Sequence, residues 1–114
     1  MRSSFGDKIR LVHILDAITE IEQYINQTDF DTFLKNSMMR FASVKQLEII
    51  GEASGQVTDD TKNKFPEIAW NKMRGLRNIL VHEYFGIDNK VVWEIIKEDL
   101  PELRQQVELL LHSI

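Results

Sequence analysis

The sequence predicts an all-α domain, an up-and-down bundle of four long helices with short additional helices. Three observations predict it. Only five of the 114 residues are Gly and two are Pro; no segment sustains the alternation of a half-buried strand; and apolar residues recur three and four apart nearly everywhere. With 43% hydrophobic and 28% charged residues, residues 1–114 read as one folded domain. A chain of this size buries roughly two thirds of its unfolded surface, enough for a core without metal or disulfide staples.

The first helix starts within residues 4–7, where several side chains can cap it, and Leu11, Ile14, Ile18, Ile21 and Ile25 form its apolar stripe. Residues 26–29 close it. A helical turn over residues 30–34 leads into a second long helix over residues 37–56, with a stripe through Met38, Phe41, Val44, Leu47, Ile50 and Ala53. Gly51 and Gly55 each cost about 1 kcal/mol relative to Ala in this helix. Either another backbone packs closely against them or the helix end frays. Residues 58–64 read as a further short helix, broken at Phe65-Pro66 because the residue before proline avoids the α region.

The third long helix is expected to start at Pro66 or Glu67 and to run to about Phe85, with Ala69, Met73, Leu76 and Leu80 turned inward and Gly86 as its C′ residue. Asp88 is a natural N-cap for the last helix. There Val92, Ile96, Leu100, Leu103, Val107, Leu110 and Ile114 hold one register across Pro101. The proline removes one backbone hydrogen bond, predicting one bent helix or two nearly collinear ones.

Composition excludes several functional classes. The absence of Cys removes disulfide frameworks, thiolate zinc sites, iron–sulfur clusters and cysteine nucleophiles. Three scattered His, with no carboxylate pair at a ligand spacing, predict no metal site, and no cofactor is expected. His13, His112, Glu48 and Glu52 read as solvated or packing residues. Residues 1–7 lack the basic and apolar pattern of a targeting segment, and no stretch approaches the roughly 18 to 20 apolar residues of a membrane span. A soluble cytoplasmic protein with no membrane partner is expected.

The net charge of −4 argues against binding nucleic acid through bulk charge. Its distribution says more: residues 1–60 carry −4, residues 61–82 carry +4 and residues 83–114 carry −4. An anionic partner is expected at the central segment. The alternative is that these cations complement the acidic flanks as internal salt bridges.

That segment, residues 73–84, concentrates polar side chains on an otherwise apolar helix. Seven residues separate Arg77 from Tyr84, which at about 100° per residue returns them almost to one face. His82 lies five residues beyond Arg77, so it points about 140° away and about 7.5 Å along the axis. A phosphate held by both needs distortion of the helix end or a second chain supplying one of the pair. Asn78 and His82 are neighbours at four-residue spacing, so the amide could orient the imidazole. Arginine and histidine without a metal suit cleavage of a phosphodiester by its own 2′-hydroxyl: imidazole exchanges a proton near neutral pH, and guanidinium holds the extra charge of the transition state. A surface network of Arg, His and Tyr with no catalytic role is the structural alternative.

Residues 73–88, Met-Arg-Gly-Leu-Arg-Asn-Ile-Leu-Val-His-Glu-Tyr-Phe-Gly-Ile-Asp, resemble the signature of the HEPN superfamily, specifically its HepT-like branch with an Arg-x4-His-x-Tyr motif. Ile49-Ile50-Gly51-Glu52-Ala53, Trp70, and Trp93 with Asp99-Leu100-Pro101 are similar to the same branch, so the likeness spans essentially the whole chain. The resemblance implies the toxin of a type VII toxin–antitoxin system, a homodimeric, HEPN-like helical protein that cleaves RNA without metal. Carried over, it makes Arg77 and His82 catalytic, with Arg77 stabilising the transition state and His82 acting as general acid or base. Asn78 matches the polar residue that supports them. The implied partner is a minimal nucleotidyltransferase antitoxin that silences the toxin by AMPylation of Tyr84. A non-catalytic HEPN module that docks such an enzyme or holds a nucleotide is the alternative within the resemblance.

Overall fold

The computed structural model describes residues 4–82 and 88–114, and of residues 4–5 and 78–82 the backbone alone. Helix α1 spans Ser4–Tyr24. Its expected stripe is buried at every position, from Leu11 through Ile14, Ile18 and Ile21 to Ile25. Past its end Gln27 takes a left-handed backbone, φ 57°, and the amide of Thr28 donates to the carbonyl of Ile25 at 2.9 Å. Asp29 caps α2 (Phe30–Lys35) by accepting from the amide of Thr32 at 2.8 Å. Phe33 of this short helix is fully buried, its ring 5.1 Å from that of Trp93.

Helix α3 (Ser37–Gly55) is capped by Asn36, which accepts from the amide of Met39 at 3.0 Å. Its inward line is Ser43, Leu47, Ile50 and Ser54, with Gly51 and Ala53 beside it. The expected stripe is corrected at its start: Met38 is 78% and Phe41 60% exposed. A pure three-residue spacing precesses around a helix, so Met38 lies about 180° and Phe41 about 120° from Leu47.

Helix α4 (Asp59–Lys64) is tied to α1 through a buried carboxylate. Asp7 accepts from the amide of Thr58 at 2.9 Å, from the Thr58 hydroxyl at 2.6 Å and from the Thr61 hydroxyl. Burial opposes its charge. The hydrogen bonds from Thr58 and Thr61, aided by the positive charge of Arg10, prevail and hold the Asp7 carboxyl below its ordinary value.

Helix α5 (Trp70–His82) starts later than the sequence predicts. Pro66 sits instead in a turn closed by the amide of Ile68 on the carbonyl of Phe65 at 3.2 Å, and the Trp70 indole donates to the same carbonyl at 3.0 Å. Ala69 therefore precedes the helix and is exposed, while Ile68 and Trp70 enter the core with Met73 and Leu76. The side chain of Leu80, residue Phe85 and the expected C′ residue Gly86 lie outside the described residues.

Asp88 caps the final rod as expected, accepting from the amides of Lys90 and Val91. The rod comprises α6 (Asn89–Glu94), a π-helical turn (Ile95–Asp99) and α7 (Leu100–Ser113). The π turn explains how the stripe survives Pro101. Two four-residue steps from Val92 to Leu100 overshoot an α-helical face by about 80°, and the extra residue of a π turn absorbs the overshoot. Pro101 then falls in the first turn of α7, where its missing N–H costs little. Val92, Ile96, Leu100, Leu103, Val107 and Leu110 are all buried.

The described helices form an all-α bundle in which α1 packs on α3 and α7, and α3 packs on α1 and α5. The contact between α3 and α5 is set by Gly51. A β-carbon there would lie 2.8 Å from the backbone nitrogen of Arg77 and 3.1 Å from the carbonyl oxygen of Met73. Close packing, rather than fraying, is the outcome at this glycine. Gly55 differs, since a β-carbon there would meet the flexible Arg74 side chain at 3.7 Å.

The two glycines should respond to alanine with opposite signs. Gly51→Ala forces two backbones apart and should cost a net roughly 1–2 kcal/mol after the helix-propensity gain. Gly55→Ala should stabilise by up to about 1 kcal/mol. Urea unfolding of both variants checks this, and a stabilised Gly51→Ala would contradict the backbone contact. Asp7 predicts a pH dependence: its folded pKa is lowered, so its contribution is complete above the ordinary value near 3.8 and is lost as pH falls through the depressed folded value. Asp7→Asn should lower stability at pH 7 by about 1.5–3 kcal/mol, with the gap to the native protein narrowing on acidification.

Candidate functional site

The Gly51 contact delivers the next residue of α3 to the side chain of Arg77. Glu52 Oε2 lies 3.0 Å from Arg77 Nε, with the two side chains 49% and 57% exposed. A pair this open contributes at most about 1 kcal/mol to folding. Its consequence is local and geometric, because a flexible cation acquires a fixed anionic neighbour.

Arg77 is described in full, whereas His82 and Asn78 are placed by their backbone alone and Tyr84 lies outside the described residues. Helix α5 is unbroken from Trp70 to His82, so the positions of Arg77 and His82 diverge by about 140° around its axis. Helix distortion between them does not bring them together. Arg74, one turn before Arg77, lays its side chain over Gly55 of α3.

The remaining polar residues separate into surface networks and caps. Lys45 and Glu48 pair within α3 at 3.9 Å, while His13 and His112 are exposed. Arg104 of α7 binds Glu22 at 2.7 Å, Glu108 at 3.3 Å and the Thr19 hydroxyl at 2.6 Å. Burial works against the Arg104 charge, but these carboxylates raise its pKa further above the usual arginine value. Among the described residues no three His, Asp or Glu side chains converge as metal ligands, and no helix is long and apolar enough to cross a membrane.

A groove of about 110 Å³ runs between α5 and the rod, lined by Met73, Leu76 and Leu103 among others and by an ion pair of Lys72 with Asp99 at 3.0 Å. Neither Arg77 nor Glu52 lines it. The cation of the motif therefore sits on the side of α5 that meets α3, apart from this groove.

Sequence reasoning did not anticipate the pairing between Glu52 and Arg77; Glu52, expected to be a solvated or packing residue, is half exposed. Glu52 and Arg77 are 25 positions apart on different helices, and helical periodicity carries no sign of such a pair. The available signals were Gly51, flagged for close packing, and the expectation that central cations could pair with the acidic flanks.

Comparison with known proteins places this chain in a family. The profile of the HepT-like family, described as ribonuclease HepT-like, matches residues 14–110. A relative from Methanocaldococcus jannaschii named "Putative RNase MJ1380" is 43% identical over 90% of this chain and 94% of its own length. Another, named "Probable ribonuclease HepT", from Thermococcus cleftensis, is 42% identical over 88% of this chain and 91% of its own. A third, from Caldanaerobacter subterraneus and named "Putative RNase TTE0752", is 35% identical over 90% and 92% of the two chains. No solved structure matches. The chain belongs to the HepT-like ribonuclease family of the HEPN superfamily.

Proposed function

We propose that this protein is the toxin of a type VII toxin–antitoxin pair, a metal-independent endoribonuclease acting as a homodimer. The observation that carries the reading is the placement of Arg77. It is a half-exposed cation, anchored where two helix backbones touch, within the family's matched segment. Arg77 holds the scissile phosphate and stabilises the charge that develops as the 2′-hydroxyl attacks phosphorus. His82 moves protons, taking one from the 2′-hydroxyl or giving one to the departing 5′-oxygen. Asn78, one turn before His82, orients the imidazole.

The unbroken helix supports a two-chain site. Since one α5 directs positions 77 and 82 apart, a second copy supplies the His82 that meets Arg77 of the first, and symmetry yields two such sites. The protein acts in the cytoplasm. A minimal nucleotidyltransferase partner silences it by transferring AMP to Tyr84. Tyr84 lies seven residues beyond Arg77 in the sequence, and the added phosphate would compete with RNA for the same guanidinium. The contact of Arg77 with Glu52 favours one rival, a non-catalytic module, because part of the cation's charge is already balanced.

The test is RNA cleavage in EDTA by protein expressed without its neighbouring nucleotidyltransferase gene. The native chain should cleave, and Arg77→Ala and His82→Ala should each lose at least about 100-fold in rate while remaining folded. A folded native chain that cleaves no RNA would move the assignment to the binding module. Co-expression with the partner should add AMP-sized mass at Tyr84 and abolish cleavage, and light scattering should return a dimer.

A further inference from the structure

We infer that Glu52 is a positioning residue, which aims the Arg77 guanidinium by pairing with its Nε and leaves the terminal nitrogens to face a phosphate. The inference rests on the reading of Arg77 as the phosphate-binding cation.

The geometry gives Glu52 this place at both ends. Its backbone follows Gly51, where α3 comes within 2.8 Å of the Arg77 nitrogen when measured from an ideal β-carbon. Its carboxylate reaches Arg77 Nε at 3.0 Å. Guanidinium is a planar fork, and an anion paired at its Nε end leaves the outer pair of nitrogens available as donors. That outer edge is the one that can offer parallel donors to two phosphate oxygens.

Energetics argue that the pair serves direction rather than fold. Both partners are about half exposed, where ion pairs add little stability. A carboxylate beside a phosphate-binding cation also weakens its attraction for RNA, so a site built for affinity alone gains by losing it. Glu48, one turn earlier, leans instead toward Lys45 at 3.9 Å. Among the described residues, Glu52 is thus the carboxylate paired with this cation.

The kinetic signs separate aiming from simple competition. Glu52→Gln, Arg77→Lys and the double variant are compared with the native chain and Arg77→Ala on a mixed-sequence single-stranded RNA in EDTA. If Glu52 aims Arg77, Glu52→Gln lowers kcat roughly 10- to 100-fold with KM within about twofold. In the Arg77→Lys background, where no fork remains to be aimed, the same change has little further effect. Native kcat in Glu52→Gln, a lowered KM with kcat intact, or an equal loss in both backgrounds overturns the inference while leaving Arg77 catalytic. Full cleavage by Arg77→Ala, or none by the native chain, overturns the underlying reading instead.

Discussion

The distance between α3 and α5 is set by a side chain that is missing. At Gly51 the two backbones approach until a single methyl group would collide with the Arg77 nitrogen, and the relative register of the helices follows. The register brings Glu52 to Arg77 and lays Arg74 across Gly55. The side of α5 formed by Met73 and Leu76 is left to close on the core and the rod. The Arg77 cation is thereby rooted in a close main-chain contact although its side chain is open to solvent, a combination that suits the catalytic role proposed for it.

Charge in the central segment is partly balanced in the folded chain. Arg77 meets Glu52 and Lys72 meets Asp99, each acid coming from one of the negatively charged flanks identified in the sequence. Internal compensation and an anion-facing role are therefore not exclusive. A protein with net charge −4 engages a polyanion through a few placed groups rather than a broad basic field, and the paired Arg77 fits that description.

The sequence showed the elements whose patterns are local. The stripe of α1 steps by three and four and is buried throughout, and the register of the rod predicted a continuous face across Pro101. What it could not show was the π turn that keeps this face in phase, because periodicity records the phase and not the hydrogen bonds that maintain it. The N-terminal stripe of α3 failed because steps of three alone wind around the helix, exposing Met38 and Phe41. Asp7 escaped notice as a tie because its partners Thr58 and Thr61 are more than 50 residues away. Arg77, Asn78, His82 and Tyr84 stood out in the sequence as a family motif, and the roles proposed for them rest on that resemblance. The pairing of Glu52 with Arg77 became visible only in the packing of one helix on another.

The claim at the centre of this account is that Arg77 from one chain works with His82 from a second. Mixing inactive Arg77→Ala with inactive His82→Ala, under conditions where subunits exchange, tests it directly through RNA cleavage in EDTA. A two-chain site predicts recovery of roughly a quarter of native activity, since half the dimers are mixed and each restores one of two sites. Active single variants, or a mixture as inert as its components despite demonstrated exchange, would contradict it.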